Sequence, residues 1–377
     1  MNNIIIKSKK TKTLNVHRYL EVESKFDSYY ANVYCIMASK RTSHLSKNEL
    51  KYELAKLYDA RFFVTQTIEN NIINIRYTLT SILDQFLPIE IAADVEKLFE
   101  DGSSIYDFSD QEIESAYREL SLYIKGYLDN KQNIASSKLG DIIDTTGMRL
   151  SIEEVEEFYN KPDIEATRSW VNRLKDAEQS RLDFNNGDEV LEQQFTNLNF
   201  KFKQYKQAEE LTIDKQLDQT YISIGYQLPS TDVTINNLIN MIFGGGVYSK
   251  LFKVVREKHS LSYNIRSTLA SENLITVSGG INNEKVELAI NAIDEQMQAL
   301  IDGQFETELE LAKTNYLESL KRGKTNEMSY ISMYTSNYLK HDTRTHEQIA
   351  EEIQNVTEQQ IIEVLKNTVK LSTVYVK

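Results

Sequence analysis

Arg256 and Tyr263 stand seven positions apart, just behind three adjacent glycines, in the stretch MIFGGGVYSKLFKVVREKHSLSYNI (Met241 to Ile265). A guanidinium presents several N–H donors in a rigid fork, and a phenol adds one O–H. Side by side, such donors can polarise a scissile carbonyl and stabilise the oxyanion that forms when hydroxide attacks it. One oxyanion donor is typically worth about 2.7–4 kcal/mol in the transition state. The glycines suit the same purpose. Only 13 occur in 377 residues, yet Gly244, Gly245, Gly246, Gly279 and Gly280 fall within 37 positions. Successive glycines let the backbone turn sharply and approach a ligand with no Cβ in the way. The plainer reading is an interhelical turn followed by an exposed Arg and a core Tyr. A phosphate-binding turn fits poorly, because GGGVYSK lacks the G-K-[ST] ending and follows a helical rather than a strand-like run.

No metal-binding pattern accompanies this stretch. The five histidines are His17, His44, His259, His341 and His346, and no two are four apart. His341 and His346, five apart, would lie about 140° from each other around a helix. His44 has Glu49 and Glu53 nearby but no second His. His259 falls between Arg256 and Tyr263, within reach of a substrate held by that pair, but a lone His is more simply a surface residue. Cys35 is the single cysteine, which excludes an internal disulfide and fits a small buried hydrophobe.

The whole chain narrows the function classes. A net charge of −13 argues against nucleic-acid binding and against attraction to an anionic membrane. The start, MNNIIIKSKKTK, has too short an apolar run for a signal peptide, and no run reaches the ~18 apolar residues of a membrane span. A cytoplasmic protein is expected.

The elements that must position these residues fall into two α+β halves. The first is expected to open with strands TLNVHRYLEV and YYANVYCIM, then a helix over 46–59. RFFVTQTI and NNIINIRYTLT follow; in the second, Ile73, Ile75, Tyr77 and Leu79 alternate with polar residues, as in a half-buried strand. Helices follow over 91–175. The second half repeats the order. It has a strand TYISIGYQL, a helix from Asp232 to Phe243, the glycines, a helix from Tyr248 to Lys258, strands LSYNIRSTL and NLITVSGGI, further helices, and a closing strand STVYVK. The turn-rich, acidic DFNNGDEVLEQQ marks a linker. The domains are therefore expected at 1–184 and 206–377, with 185–205 between them. Between its central strands the second half has two helices and the first only one, so a helix is expected to be missing from the first.

The second half resembles the insulinase/pitrilysin family of zinc peptidases, in the branch typified by mitochondrial processing peptidase. The match lies in FGGGVYSKLFKVVREKHSLSY and, downstream, TELELAKTNYLESL. The resemblance implies two homologous α/β-sandwich halves forming a clamshell, each a mostly antiparallel sheet covered by helices. One domain of such enzymes carries H-x-x-E-H on a helix and holds the zinc. A facing domain supplies an Arg and a Tyr seven apart that hold the substrate, matched here by Arg256 and Tyr263, with Gly244, Gly245, Gly246 and Ser249 as substrate-binding residues. Two positions depart from the pattern: Ser260 stands where Gly is usual, and Lys250 where Arg is usual.

The resemblance therefore implies a non-metal-binding subunit of a heterodimeric metallopeptidase. It would hold no cofactor itself, and zinc would sit on a homologous H-x-x-E-H partner. The substrate would be a peptide, such as the leader or precursor of a ribosomally made antimicrobial peptide. The competing expectation is an inert scaffold subunit of a larger complex. Retention of both Arg256 and Tyr263 favours the first.

Overall fold

Alternating apolar residues set the strands, and two sheets result. The computed structural model describes residues 10–69, 71–181, 183, 203–262, 264–325 and 344–377. In chain order it has β1 (Thr11–Glu21), α1 (Asp27–Ala38), α2 (Lys47–Lys56), β2 (Arg61–Glu69), β3 (Ile72–Ile82), α3 (Ala92–Gly102), α4 (Asp110–Asp129), α5 (Lys131–Ile143), α6 (Ile152–Asn160), α7 (Ile164–Lys175) and β4 (Glu178–Arg181). The order continues with β5 (Leu211–Ile213), β6 (Gln219–Gln227), α8 (Val233–Phe243), a π-helix (Phe252–Lys258), β7 (Arg266–Ser271) and β8 (Leu274–Asn282). It closes with α9 (Val286–Ile301), α10 (Glu306–Thr325), α11 (His346–Asn355), α12 (Glu358–Lys366) and β9 (Val369–Val376).

The chain divides into two compact units, one from 1–124, 155–201 and 322–343, the other from 125–154, 202–321 and 344–377. The cut thus falls within α4, and α5 belongs with the second sheet. Of the expected linker 185–205, residues 185–202 lie outside the described residues. Tyr205 bridges to Asp144 within the second unit.

The first unit carries an antiparallel sheet in the order β2-β3-β1-β4. Leu14, Ile73, Ile75, Tyr77 and Leu79 project from it into a core shared with Tyr34, Phe99, Tyr117 and Trp170 from the helices. The Tyr34 hydroxyl meets that of Tyr77 and donates to Ile105 O, so these buried phenols are satisfied. Expected strand YYANVYCIM is instead the body of α1. Ala31, Val33, Tyr34, Cys35, Met37 and Ala38 are all buried, so apolar residues occupy nearly every side of the helix. Such a run has no helical period to read and mimics a buried strand. Burial pushes the Cys35 thiol pKa up. With α1 in place, two helices precede the β2–β3 hairpin, and the expectation of a missing helix is overturned. The H-x-x-E-H pattern is absent from this half by residue identity.

β3, expected to be half-buried, is buried on both faces. Its polar positions pair with those of β1: Thr78 Oγ1 donates to Asn15 Oδ1 at 2.9 Å, and His17 Nδ1 donates to Asn74 Oδ1 at 3.2 Å. His17 is 1% exposed, and among the described residues its Nε2 meets no partner. Burial, reinforced by the nearby Arg76 cation and only partly opposed by Asn74, lowers its pKa from 6.5 to about 3. The folded state therefore holds His17 neutral, whereas the unfolded chain protonates below pH 6.5. The stability linked to this group is complete above pH 6.5 and declines as pH falls toward 3. From pH 7 to 5 the loss amounts to about 2 kcal/mol. Urea unfolding should show His17→Gln to be less pH-sensitive than wild type by that amount; equal slopes would contradict it.

The second unit carries the sheet β5-β9-β6-β8-β7, antiparallel except for the short β5–β9 pair. Ile222, Ile224 and Val277 pack with Phe243, Ile293, Ile353 and Leu365 from the helices. Ala135, Leu139 and Ile143 of α5 cluster with Leu371, Val374 and Val376 of β9. Each unit is thus a mostly antiparallel sheet with helices, as expected. Among the described residues no helix is long and apolar enough to cross a membrane.

Candidate functional site

Asp232 caps α8 by accepting from the N–H groups of Thr234 and Ile235, and the helix runs to the buried Phe243. Gly244 N and Gly245 N both donate to Asn240 O, closing the helix. None of the three glycines adopts a left-handed φ; they serve close approach. A Cβ on Gly244 would lie 2.6 Å from Ser267 N and 2.8 Å from Leu251 Cδ1. Ser267 N donates to Gly244 O at 3.1 Å, so the turn is fastened to the edge strand β7. Gly244 is buried by this contact, whereas Gly245 is exposed and Gly246 half-buried.

Ser249 is fully buried and opens the next helix. Its N–H donates to Gly246 O, its carbonyl accepts from Lys253 N, and its hydroxyl accepts from Phe252 N at 3.4 Å. From Phe252 the helix widens into a π-helix, with His259 N reaching back to Val254 O. π-helical turns are rare and recur at functional sites. Arg256 stands exposed on this helix, its guanidinium 4.6 Å from the centre of the Phe252 ring. Among the described residues it pairs with no carboxylate.

Ser260 ends the helix with φ of 49°. This left-handed conformation favours glycine, which fits the Gly usual here in the family that the sequence resembles; this chain accepts the strained conformation in a serine. Tyr263 lies outside the described residues, as does His341. The residues beside position 263 are held on β8. Ser262 Oγ donates to Gly280 O at 2.8 Å, and Gly280 N donates to Asn264 Oδ1 at 2.8 Å. A Cβ on Gly279 would lie 3.1 Å from Ile265 Cα, so the second glycine pair admits the crossing segment.

Glu308 of α10 was not singled out by sequence reasoning. It is 7% exposed and accepts from Lys253 Nζ at 3.0 Å, with Lys250 Nζ 3.6 Å away. Burial opposes its charge, but Lys253, its own backbone N–H and Lys250 outweigh burial and hold the carboxyl below the usual range. The described histidines join no metal-ligating group: among the described residues no three His, Cys, Asp or Glu side chains lie close enough to hold an ion. His44 instead bonds Asp101, and His259 is exposed on the π-helix side.

A family model described as "Peptidase M16 inactive domain" matches residues 165–316, which span every candidate residue above. Over those residues the chain is similar to that domain. The chain is 31% identical over 179 residues to "Probable inactive metalloprotease YmfF" of Bacillus subtilis (strain 168), covering 45% of this chain and 41% of that protein. The match thus spans less than half the length of that curated relative. The fold resembles that of a conserved protein from Enterococcus faecalis V583, with TM-score 0.83 and 17% identity over 99% of this chain and 95% of that one. It also resembles a peptidase M16 inactive domain from Pseudomonas fluorescens, with TM-score 0.71 and 14% identity over 99% and 94% of the two chains. At these identities the likeness is one of fold.

Proposed function

We propose that this chain is the non-metal-binding subunit of a two-chain zinc metallopeptidase. A homologous partner with an H-x-x-E-H helix supplies zinc and base. This chain supplies Arg256 and Tyr263 to the substrate carbonyl, with Gly244, Gly245, Gly246 and Ser249 shaping the clamp. The substrate class is peptides, with the leader or precursor of a ribosomally made antimicrobial peptide as the specific suggestion. The supporting observation is Arg256: an exposed guanidinium with no carboxylate partner among the described residues, raised on a π-helix behind a fastened glycine turn. A donor left unneutralised there can accept a developing negative charge.

The test is reconstitution with a zinc-bearing homologue of similar length. Elemental analysis should find no stoichiometric zinc on this chain and about one per mixed pair, and peptide hydrolysis should require both chains and stop on chelation. Tight zinc on this chain alone, or a mixture no faster than the partner alone, would refute the proposal. Assembly without any rate gain would favour the scaffold reading.

A further inference from the structure

Lys250, Lys253 and Arg256 recur every third position along one helix, and side chains three apart are neighbours on a helix surface. Glu308 contacts the first two and not the third. Lys250 is largely buried, with 17% of its side chain exposed, so its ammonium depends on that carboxylate for compensation. The site of contact is the opening of the helix. At the other end, Leu261 N donates to Val255 O and Ser260 N to Arg256 O, which closes the π-helix but leaves its rotation at the start to side chains.

We infer that Glu308 is a positioning residue: by tying Lys250 and Lys253 to α10 it fixes the rotation of the Arg256 helix, and of the three cations only Arg256 is left without a carboxylate partner among the described residues. The inference rests on the clamp role proposed for Arg256. Without Glu308, two like charges one turn apart repel each other, and the buried one has reason to swing toward water. The helix opening then turns, and Arg256 turns with it. A displacement of about 1 Å at a group that positions substrate can cost ~100-fold in rate, so a partial loosening should cost ~10-fold.

Glu308→Gln keeps the shape and removes the charge. Hydrogen exchange of the isolated chain should speed up across 250–258 while the β6–β8 amides stay protected. In the reconstituted pair kcat should fall ~10-fold with KM nearly unchanged, and Glu308→Asp should recover part of the loss. The charge swap, Glu308→Lys with Lys253→Glu, should restore protection more than either single change. Unchanged exchange over 250–258 in Glu308→Gln overturns the inference. So does a global loss of protection with no selective effect on that segment, because Glu308 is then only a stabilising residue. The exchange arm needs no partner. An inactive wild-type pair would therefore count against the proposed function, while exchange still decides the role of Glu308.

Discussion

Tyr263→Phe should lower the turnover of the reconstituted pair by about 100-fold or more while leaving assembly intact. The change removes one O–H and almost no volume. If that O–H donates to the oxyanion only in the transition state, its loss costs about 2.7–4 kcal/mol there, and kcat falls rather than KM rising. Arg256→Lys provides an independent arm. The ammonium keeps the charge but not the planar fork, nor the same fit over the Phe252 ring 4.6 Å away, so a comparable loss is expected. The measurement is steady-state turnover of each variant with one preparation of zinc-bearing partner, alongside the elution volume of the mixture. Near-normal turnover of Tyr263→Phe in an intact complex would remove the catalytic role and leave the scaffold reading.

Phe243→Ala and Gly244→Ala should both weaken the second unit, for opposite reasons. Phe243 is fully buried and meets the Tyr226 ring edge-on at 5.8 Å. Its truncation leaves a cavity and should cost about 3–5 kcal/mol. At Gly244 there is no room at all. The added methyl would lie 2.6 Å from a backbone nitrogen of β7, which cannot move aside as a side-chain tip can. Overpacking of this kind costs about 1–3 kcal/mol. Gly126 of α4 is the control, because a Cβ there meets nothing within 4 Å; Gly126→Ala should gain about 0.5–1 kcal/mol of helix stability. Urea titration of the unfolding transition of the second unit checks all three. A Gly244→Ala variant as stable as wild type would show that the turn is not held against β7 as described.

The parts of the molecule legible in the sequence are those where pattern and neighbour agree. Asp232 followed by helically spaced apolar residues announces α8, and alternation announces β6, β8 and β9. The glycine turn was legible as a close approach, but its partner was not: Gly244 is bare to admit Ser267. α1 was misread because burial on nearly every side erases periodicity. β4 and β5 were missed because EQSR and LTI are too short and carry too little apolar pattern; backbone pairing alone places them. Periodicity shows which face of a helix is apolar and not what covers it, so nothing in α5 revealed that it lies on β6 and β9. Glu308 escaped for the same reason, since its partner Lys253 is 55 positions away. The identity of a charged residue does not disclose a long-range tie.

The placement of α5 has a consequence for how the protein must be made. Ala135, Leu139 and Ile143 leave the ribosome well before the strand that buries them, Val369–Val376, which follows only after residues 144–368. Contacts of such separation close slowly, and a nascent chain meanwhile carries an uncovered apolar helix face that invites aggregation. Interrupted translation before Val369 leaves that face permanently open. β9 also holds the edge strand β5, with Lys377 N donating to Ile213 O. Completion of one short segment thus closes two sides of the second sheet at once.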